Sequence, residues 1–119
     1  MIRVYHRKWM AEDEFSVLHD GAAVLNNPQV LVAEVMTDSL DVAYEMTQNI
    51  NGSWSKTRLM FEYDLLVENP DFHPEVQVMA PLHVVDGREY GLRSTMMGDI
   101  LEKDGVKYRV AMVGFKEVA

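Results

Sequence analysis

Gly98-Asp99-Ile100-Leu101-Glu102-Lys103-Asp104-Gly105-Val106-Lys107-Tyr108-Arg109-Val110-Ala111-Met112-Val113, residues 98–113, carries the strongest local indication of how the chain folds. Two apolar runs flank Asp104-Gly105, and glycine tolerates the positive φ that a tight hairpin turn requires. Apolar and basic side chains alternate along the second run, which is typical of a strand with one buried face. The pattern predicts a C-terminal β-hairpin that is broken at Gly114-Phe115.

Upstream of this hairpin, the sequence indicates further strands and one main helix. Residues 2–7 alternate in polarity, and residues 29–36 form a largely apolar, valine-rich run; each segment predicts a strand. Residues 37–39 offer N-cap side chains, and apolar residues then recur at helical spacing, which predicts a helix over residues 39–50. Weaker patterns predict a short helix over residues 11–19 and strands over 59–67, 75–80 and 82–85.

These patterns predict an α+β fold, in which a small antiparallel sheet carries one principal helix and ends in the hairpin. A chain of 119 residues has the length of one domain, and no linker divides it, so we expect a single domain over residues 1–119.

Composition excludes several classes of protein. The chain has no cysteine, so it holds neither disulfides nor thiolate metal sites. Its apolar runs are far shorter than a membrane-spanning helix, and the N-terminal residues do not resemble a signal peptide. The four histidines show no metal-ligand spacing, and there is no glycine-rich phosphate loop or nucleophile motif. We therefore expect a cytoplasmic protein with no membrane association, cofactor, metal or catalytic activity.

The net charge of −8 is unevenly distributed along the chain. Residues 9–55 contain eight acids and no lysine or arginine, and residues 59–87 contain six more acids and no base. Such a field repels nucleic-acid phosphates and attracts basic partners, although the same charge also serves solubility alone. Asp38, Asp41 and Glu45 share one side of the predicted helix, where they either imitate DNA phosphates or form a solvated flank.

Two other groups of residues have both a binding and a structural interpretation. Asn49, Asn51 and Trp54 form either a recognition patch or a helix end with a tryptophan packed on the sheet, and Trp9 is open to the same two interpretations. The segment Arg93-Ser94-Thr95 either binds a phosphate or carboxylate or forms a turn in which Arg93 pairs with Asp99.

Two blocks of sequence resemble a loose set of short, uncharacterised proteins of bacteriophages, plasmids and bacterial accessory DNA. The blocks are residues 43–54, which include Thr47-Gln48-Asn49-Ile50 and Trp54, and residues 93–100, followed by the hairpin and Gly114-Phe115. The chain departs from the common pattern at Met96-Met97 and at Lys116, and it has a longer segment between Trp54 and Arg93. The resemblance implies a phage or mobile-element accessory protein, and it implies no reaction.

The sequence therefore predicts a non-catalytic accessory protein that binds a host protein through an acidic surface, with inhibition of that host protein as one outcome of binding. The alternative is a small β-domain that resembles PUA-like domains and binds nucleic acid or a nucleotide through Arg93, Lys107 and Arg109, which the net charge disfavours. Edge strands and nine methionines are compatible with a homodimer.

Overall fold

The computed structural model describes residues 1–8 and 28–118. The predicted helix over residues 11–19 and the side chain of Trp9 lie outside the described residues. The described residues form ten strands and one helix: β1 (Ile2–Arg7), β2 (Gln29–Val35), α1 (Leu40–Met46), β3 (Leu59–Glu62), β4 (Leu65–Glu68), β5 (Val76–Val78), β6 (His83–Val85), β7 (Arg88–Tyr90), β8 (Ile100–Lys103), β9 (Val106–Val110) and β10 (Phe115–Glu117).

Six of these strands form one antiparallel sheet in the order β10-β9-β8-β1-β2-β5. The C-terminal hairpin is confirmed, because β8 and β9 pair across a turn in which Asp104 and Gly105 both have positive φ. Strand pairing continues beyond β9. Gly114, with φ +69°, reverses the chain again, so that β10 adds to β9 as the edge strand.

The central strand β1 has an irregular register against β2. The pairing shifts between Val4 and Tyr5, and β2 accommodates one additional residue there. Beyond this bulge His6 and Arg7 are both buried, although strict alternation would place one of them in solvent. Alternation along β1 already places His6 on the buried face with Ile2 and Val4, so Arg7 is the residue whose burial departs from the pattern.

Helix α1 packs on this sheet against β1 and β8. Its N-cap is Ser39, whose side chain accepts a hydrogen bond from the amide of Val42. The core beneath it combines strand residues with Ala43 of the helix and Trp54 of the following loop; its members are Ile2, Val4, Val32, Ala33, Val35, Ala43, Trp54, Leu101 and Val110.

The fold is more dominated by sheet than the predicted α+β arrangement with a principal helix. Helix α1 has seven residues and ends at Met46, whereas the sequence predicted a helix over residues 39–50. The extension is wrong because later backbone amides have other partners: Ser94 accepts from Asn49, and Asp71 accepts from Ile50 and Asn51. A tertiary contact therefore replaces each helical hydrogen bond.

Two further hairpins stand apart from the main sheet. The predicted strand over residues 59–67 is in fact β3 and β4, joined by Tyr63 and Asp64, which both have positive φ. Strands β6 and β7 pair across Asp86-Gly87, where both residues have positive φ. Among the described residues, no helix is long and apolar enough to span a membrane.

Candidate functional site

The two sequence blocks that carry the resemblance meet in space around the buried carboxylate of Asp99. Asp99 is 1% exposed, and its two oxygens accept four hydrogen bonds from the chain. The Arg93 guanidinium donates twice, at 2.6 and 2.8 Å, and the amides of Arg7 and Met96 donate at 2.8 and 2.9 Å. This paired, bidentate geometry is the strong form of an arginine–carboxylate contact.

Arg93 therefore directs its charge inward. Besides Asp99, its guanidinium donates to the carbonyl oxygens of Arg7, at 2.9 Å, and Ser94, at 3.0 Å. Of the two interpretations of Arg93, this geometry fits the structural one, in which Arg93 pairs with Asp99. A phosphate at this position would have to displace a buried carboxylate that already satisfies the guanidinium.

A second set of hydrogen bonds links β1 to helix α1 through side chains. His6 Nε2 lies 2.9 Å from Thr95 Oγ1, which donates to Thr47 Oγ1 at 2.8 Å. Thr47 Oγ1 in turn donates to the carbonyl of Ala43. Because both hydroxyl protons are used in this direction, His6 must donate from Nε2, which assigns its neutral tautomer.

The environment of His6 keeps the imidazole neutral. Its pKa is lowered to about 4, chiefly because burial penalises the charged form. The Asp99 carboxylate, 4.0 Å from Nε2, opposes this shift, and the Arg93 guanidinium adds to it. The imidazole therefore acts near neutral pH as a fixed hydrogen-bond donor to Thr95.

Trp54 closes the same cluster from the loop that follows α1. Its side chain is 1% exposed, its indole NH donates to the carbonyl of Arg93 at 2.8 Å, and its ring meets the His6 ring edge to face at 5.9 Å. Because it is buried, the indole cannot contact a partner directly, and the structural interpretation of Trp54 is the one that the geometry fits.

Asn49 and Ser94 tie the two sequence blocks together. The Asn49 side chain accepts from the amide of Trp54 at 2.9 Å and donates to the carbonyl of Leu92 at 3.0 Å. Its own amide donates to Ser94 Oγ at 2.8 Å. Asn51 is exposed, and it takes part through its backbone amide.

Sequence reasoning missed Asp71 and Asn69, which organise the loop over residues 50–53. One oxygen of the buried Asp71 accepts from the amides of Ile50, Asn51 and Gly52. Asn69 brackets the same loop by accepting from the amide of Ser53 and donating to its carbonyl. The run Asn69-Pro70-Asp71 carried a usable signal, since such residues bind nearby backbone groups in turns.

The predicted acidic residues of helix α1 lie on the outside. Asp38, Asp41 and Glu45 are all exposed. Asp38 lies 3.4 Å from the amino group of Met1, and among the described residues neither Asp41 nor Glu45 forms a salt bridge. Glu34 differs from them, because Arg3 on the neighbouring strand pairs with it at 3.1 Å.

The three cations of the nucleic-acid alternative do not form an open basic surface. Arg93 binds Asp99, Arg109 is 8% exposed, and the Lys107 ammonium lies 5.1 Å from the centre of the Tyr5 ring. Nor do residues 1–8 and 28–118 contain a cluster of three or more acids or histidines that could hold a metal ion.

A concavity lies elsewhere, between the two small hairpins, and the sequence did not predict it. It has a volume of about 590 Å³ and is lined by apolar residues of β3 and β4 and by residues 87–90, with Lys56 at one side.

Comparison of the chain with protein-family models, with curated proteins and with solved structures finds no match.

Proposed function

We propose that this protein is a non-catalytic accessory protein of a phage or mobile element, and that it binds and inhibits a host protein through helix α1. The interacting region, here called the helix surface, consists of Met36, Asp38, Asp41, Glu45 and Ile50. The phage or mobile-element context is supported by the sequence resemblance.

The observation that carries this proposal is the exposed negative charge on α1. Asp41 and Glu45 are one helical turn apart, and no described lysine or arginine neutralises either of them. An uncompensated negative field of this kind accelerates and orients the approach of a basic partner.

The chain at both ends of the helix adds apolar contact area. Met36, just before the helix, and Ile50, just after it, are exposed large hydrophobic residues. Exposed apolar side chains beside charged ones are typical of protein–protein interfaces, and they supply the affinity that exposed charge alone does not.

The buried polar cluster around Asp99 supports a binding role indirectly. Asp99, Arg93, His6 and Thr95 use their hydrogen-bonding groups on one another and on the backbone. They hold the loops that flank α1, so their contribution is to keep the helix surface rigid. Binding by a preorganised surface loses less conformational entropy than binding by a mobile one.

The test is affinity capture from bacterial host cells with a variant that neutralises the helix surface. Asp41→Asn with Glu45→Gln changes the net charge by +2 and removes no buried group. We expect the wild-type chain to capture one dominant protein, in an association that weakens as salt rises, and this variant to lose it.

The matched control is Asp104→Asn with Glu117→Gln, which changes the net charge by the same amount at exposed positions of the turn and of β10. The control should capture the partner as the wild type does. Equal loss in both variants would mean that net charge alone matters, and retention in both would exclude the helix surface.

A further inference from the structure

The hairpin β3–β4 exposes an unusual amount of apolar surface. Within residues 1–8 and 28–118 its strands pair only with each other, and no described strand covers their outer edges. By the register, Leu59, Phe61 and Leu66 share one face, and all three are exposed, Phe61 by 71%. A two-stranded ribbon is marginally stable by itself in water, and exposed apolar faces of this kind mark interaction sites.

The neighbouring hairpin β6–β7 has the same character. Every residue from His83 to Tyr90 is exposed, including Val84, Val85 and Tyr90. Between the two hairpins lies the groove of about 590 Å³, with Phe61 and Leu66 on one side and Arg88 and Tyr90 on the other. Among the described residues, nothing fills this groove.

The turn at the tip of β3–β4 has an unfavourable backbone conformation and exposes an aromatic ring. Tyr63 and Asp64 have φ of +51° and +64°, a left-handed conformation that asparagine and glycine adopt most readily. The turns of the other two hairpins, Asp86-Gly87 and Asp104-Gly105, follow that preference. Tyr63 is 92% exposed, and strained residues of this kind point to a functional requirement.

Charge along the hairpin is ordered from its base to its tip. Lys56 and Arg58 lie at the base together with Glu68, whereas Glu62 and Asp64 lie at the tip. The segment 56–68 carries two bases and three acids, so its own charge is 2 − 3 = −1 although the whole chain carries −8. Two such hairpins lying antiparallel would bring each acidic tip to the other's basic base.

We propose that the chain forms a two-fold homodimer in which the β3–β4 hairpin of each copy lies antiparallel across the groove of the other and seats Tyr63 there. A second copy is the occupant that fits, because one surface supplies both the exposed ring of Tyr63 and the groove that this ring borders, with opposite charges at the two ends of the hairpin. A two-fold axis requires this self-complementarity. The proposal is independent of the helix surface.

The first test measures the mass of the full chain by sedimentation equilibrium. The wild type should reach twice the 13.6 kDa of one chain. Tyr63→Asn removes the aromatic ring and places a residue that readily adopts the left-handed conformation in the turn. Leu66→Lys introduces a charge on the apolar face of the hairpin. Each variant should raise the dimer dissociation constant by about 30-fold or more, as at an interface hot spot. Val113→Asn, at an exposed apolar position off the hairpins, should have no effect.

The second test reverses charge at each end of the hairpin. Lys56→Glu with Arg58→Glu, and separately Glu62→Lys with Asp64→Lys, should each weaken the homodimer, and mixing the two variants should restore a dimer. The control variant Asp104→Lys with Glu117→Lys reverses the same number of acids elsewhere and keeps the wild-type β3–β4 hairpin, so it should form its own homodimer but no mixed dimer with the first variant.

A wild-type chain that stays monomeric would overturn the proposal, and so would a dimer that survives both hairpin variants. A monomer that loses its captured host protein on Leu66→Lys would assign the hairpins to that other protein instead. Failure of the helix-surface capture leaves the dimer intact, so the two proposals fail separately.

Discussion

Asp99 lies where β1, the turn over residues 96–99 and the segment carrying Arg93 come together. Its two oxygens accept from one guanidinium and from two backbone amides. The Asp99 carboxylate is 1% exposed. In such a buried position, a hydrogen-bonding group left without a partner is costly. The residue therefore acts as a structural bridge.

Asp99→Asn tests this role. The amide keeps the size of the carboxylate but cannot accept all four hydrogen bonds, and it leaves Arg93 without its counter-charge. Because Arg93 is partly exposed and can be rehydrated, we expect a loss near the lower end for a broken buried pair, about 3 kcal/mol in the free energy of unfolding. Urea denaturation measures it.

Asp104→Asn is the control for that change, because Asp104 is an exposed turn residue with positive φ, which asparagine also adopts. Its free energy of unfolding should stay close to that of the wild type. If Asp99→Asn is equally well tolerated, the carboxylate is not structural, and a binding role for Arg93 regains its support.

His6 should make the fold sensitive to acid. The unfolded imidazole takes up a proton near its ordinary pKa of 6.5, and the folded one does so only near 4. Between these values the unfolded chain binds more protons, so this contribution is complete above about pH 6.5 and is lost as the pH falls towards 4, by roughly 3 kcal/mol in all.

Denaturation at a series of pH values checks this slope. His6→Gln keeps a donor for Thr95 without a titrating ring, so stability should fall less steeply between pH 6.5 and 4 than in the wild type. His83→Gln, at an exposed position, should leave the slope unchanged. Identical slopes for wild type and His6→Gln would contradict the burial of a neutral His6.

Among the secondary-structure elements, the sequence correctly predicted the strands and turns whose formation depends on neighbouring residues. Strand β1, most of β2 and the hairpin around Asp104-Gly105 follow from alternation, from an apolar run and from glycine at a left-handed position. The hairpin β3–β4 was missed because Tyr63-Asp64 is not a usual turn sequence, so its two strands looked like one.

The extent of the helix could not be predicted either. Residues 47–50 have helical spacing, but the amides of Asn49 and Ile50 donate to side chains that are distant in the sequence, those of Ser94 and Asp71. Of the predicted site residues, the pair between Arg93 and Asp99 was among the alternatives, whereas the roles of Asp71 and Asn69 emerge only once the loops are folded together.

For the molecule as a whole, charge and apolar surface lie in different places. The buried carboxylate of Asp99 is paired with Arg93, while the acids of α1 face solvent without a described basic partner. More than half of the large hydrophobic residues that are exposed in the described part of the chain lie on the two small hairpins. This separation supports our two proposals, which assign α1 to a basic host protein and the hairpins to a second copy of the chain.

Amide hydrogen exchange of the chain, free and bound to the captured host protein, tests the central claim most directly. The account predicts that binding slows exchange in residues 36–50 and leaves the hairpin amides of residues 59–68 as they are in the free dimer. Slower exchange confined to residues 59–68 and 83–90, with α1 unaffected, would contradict it.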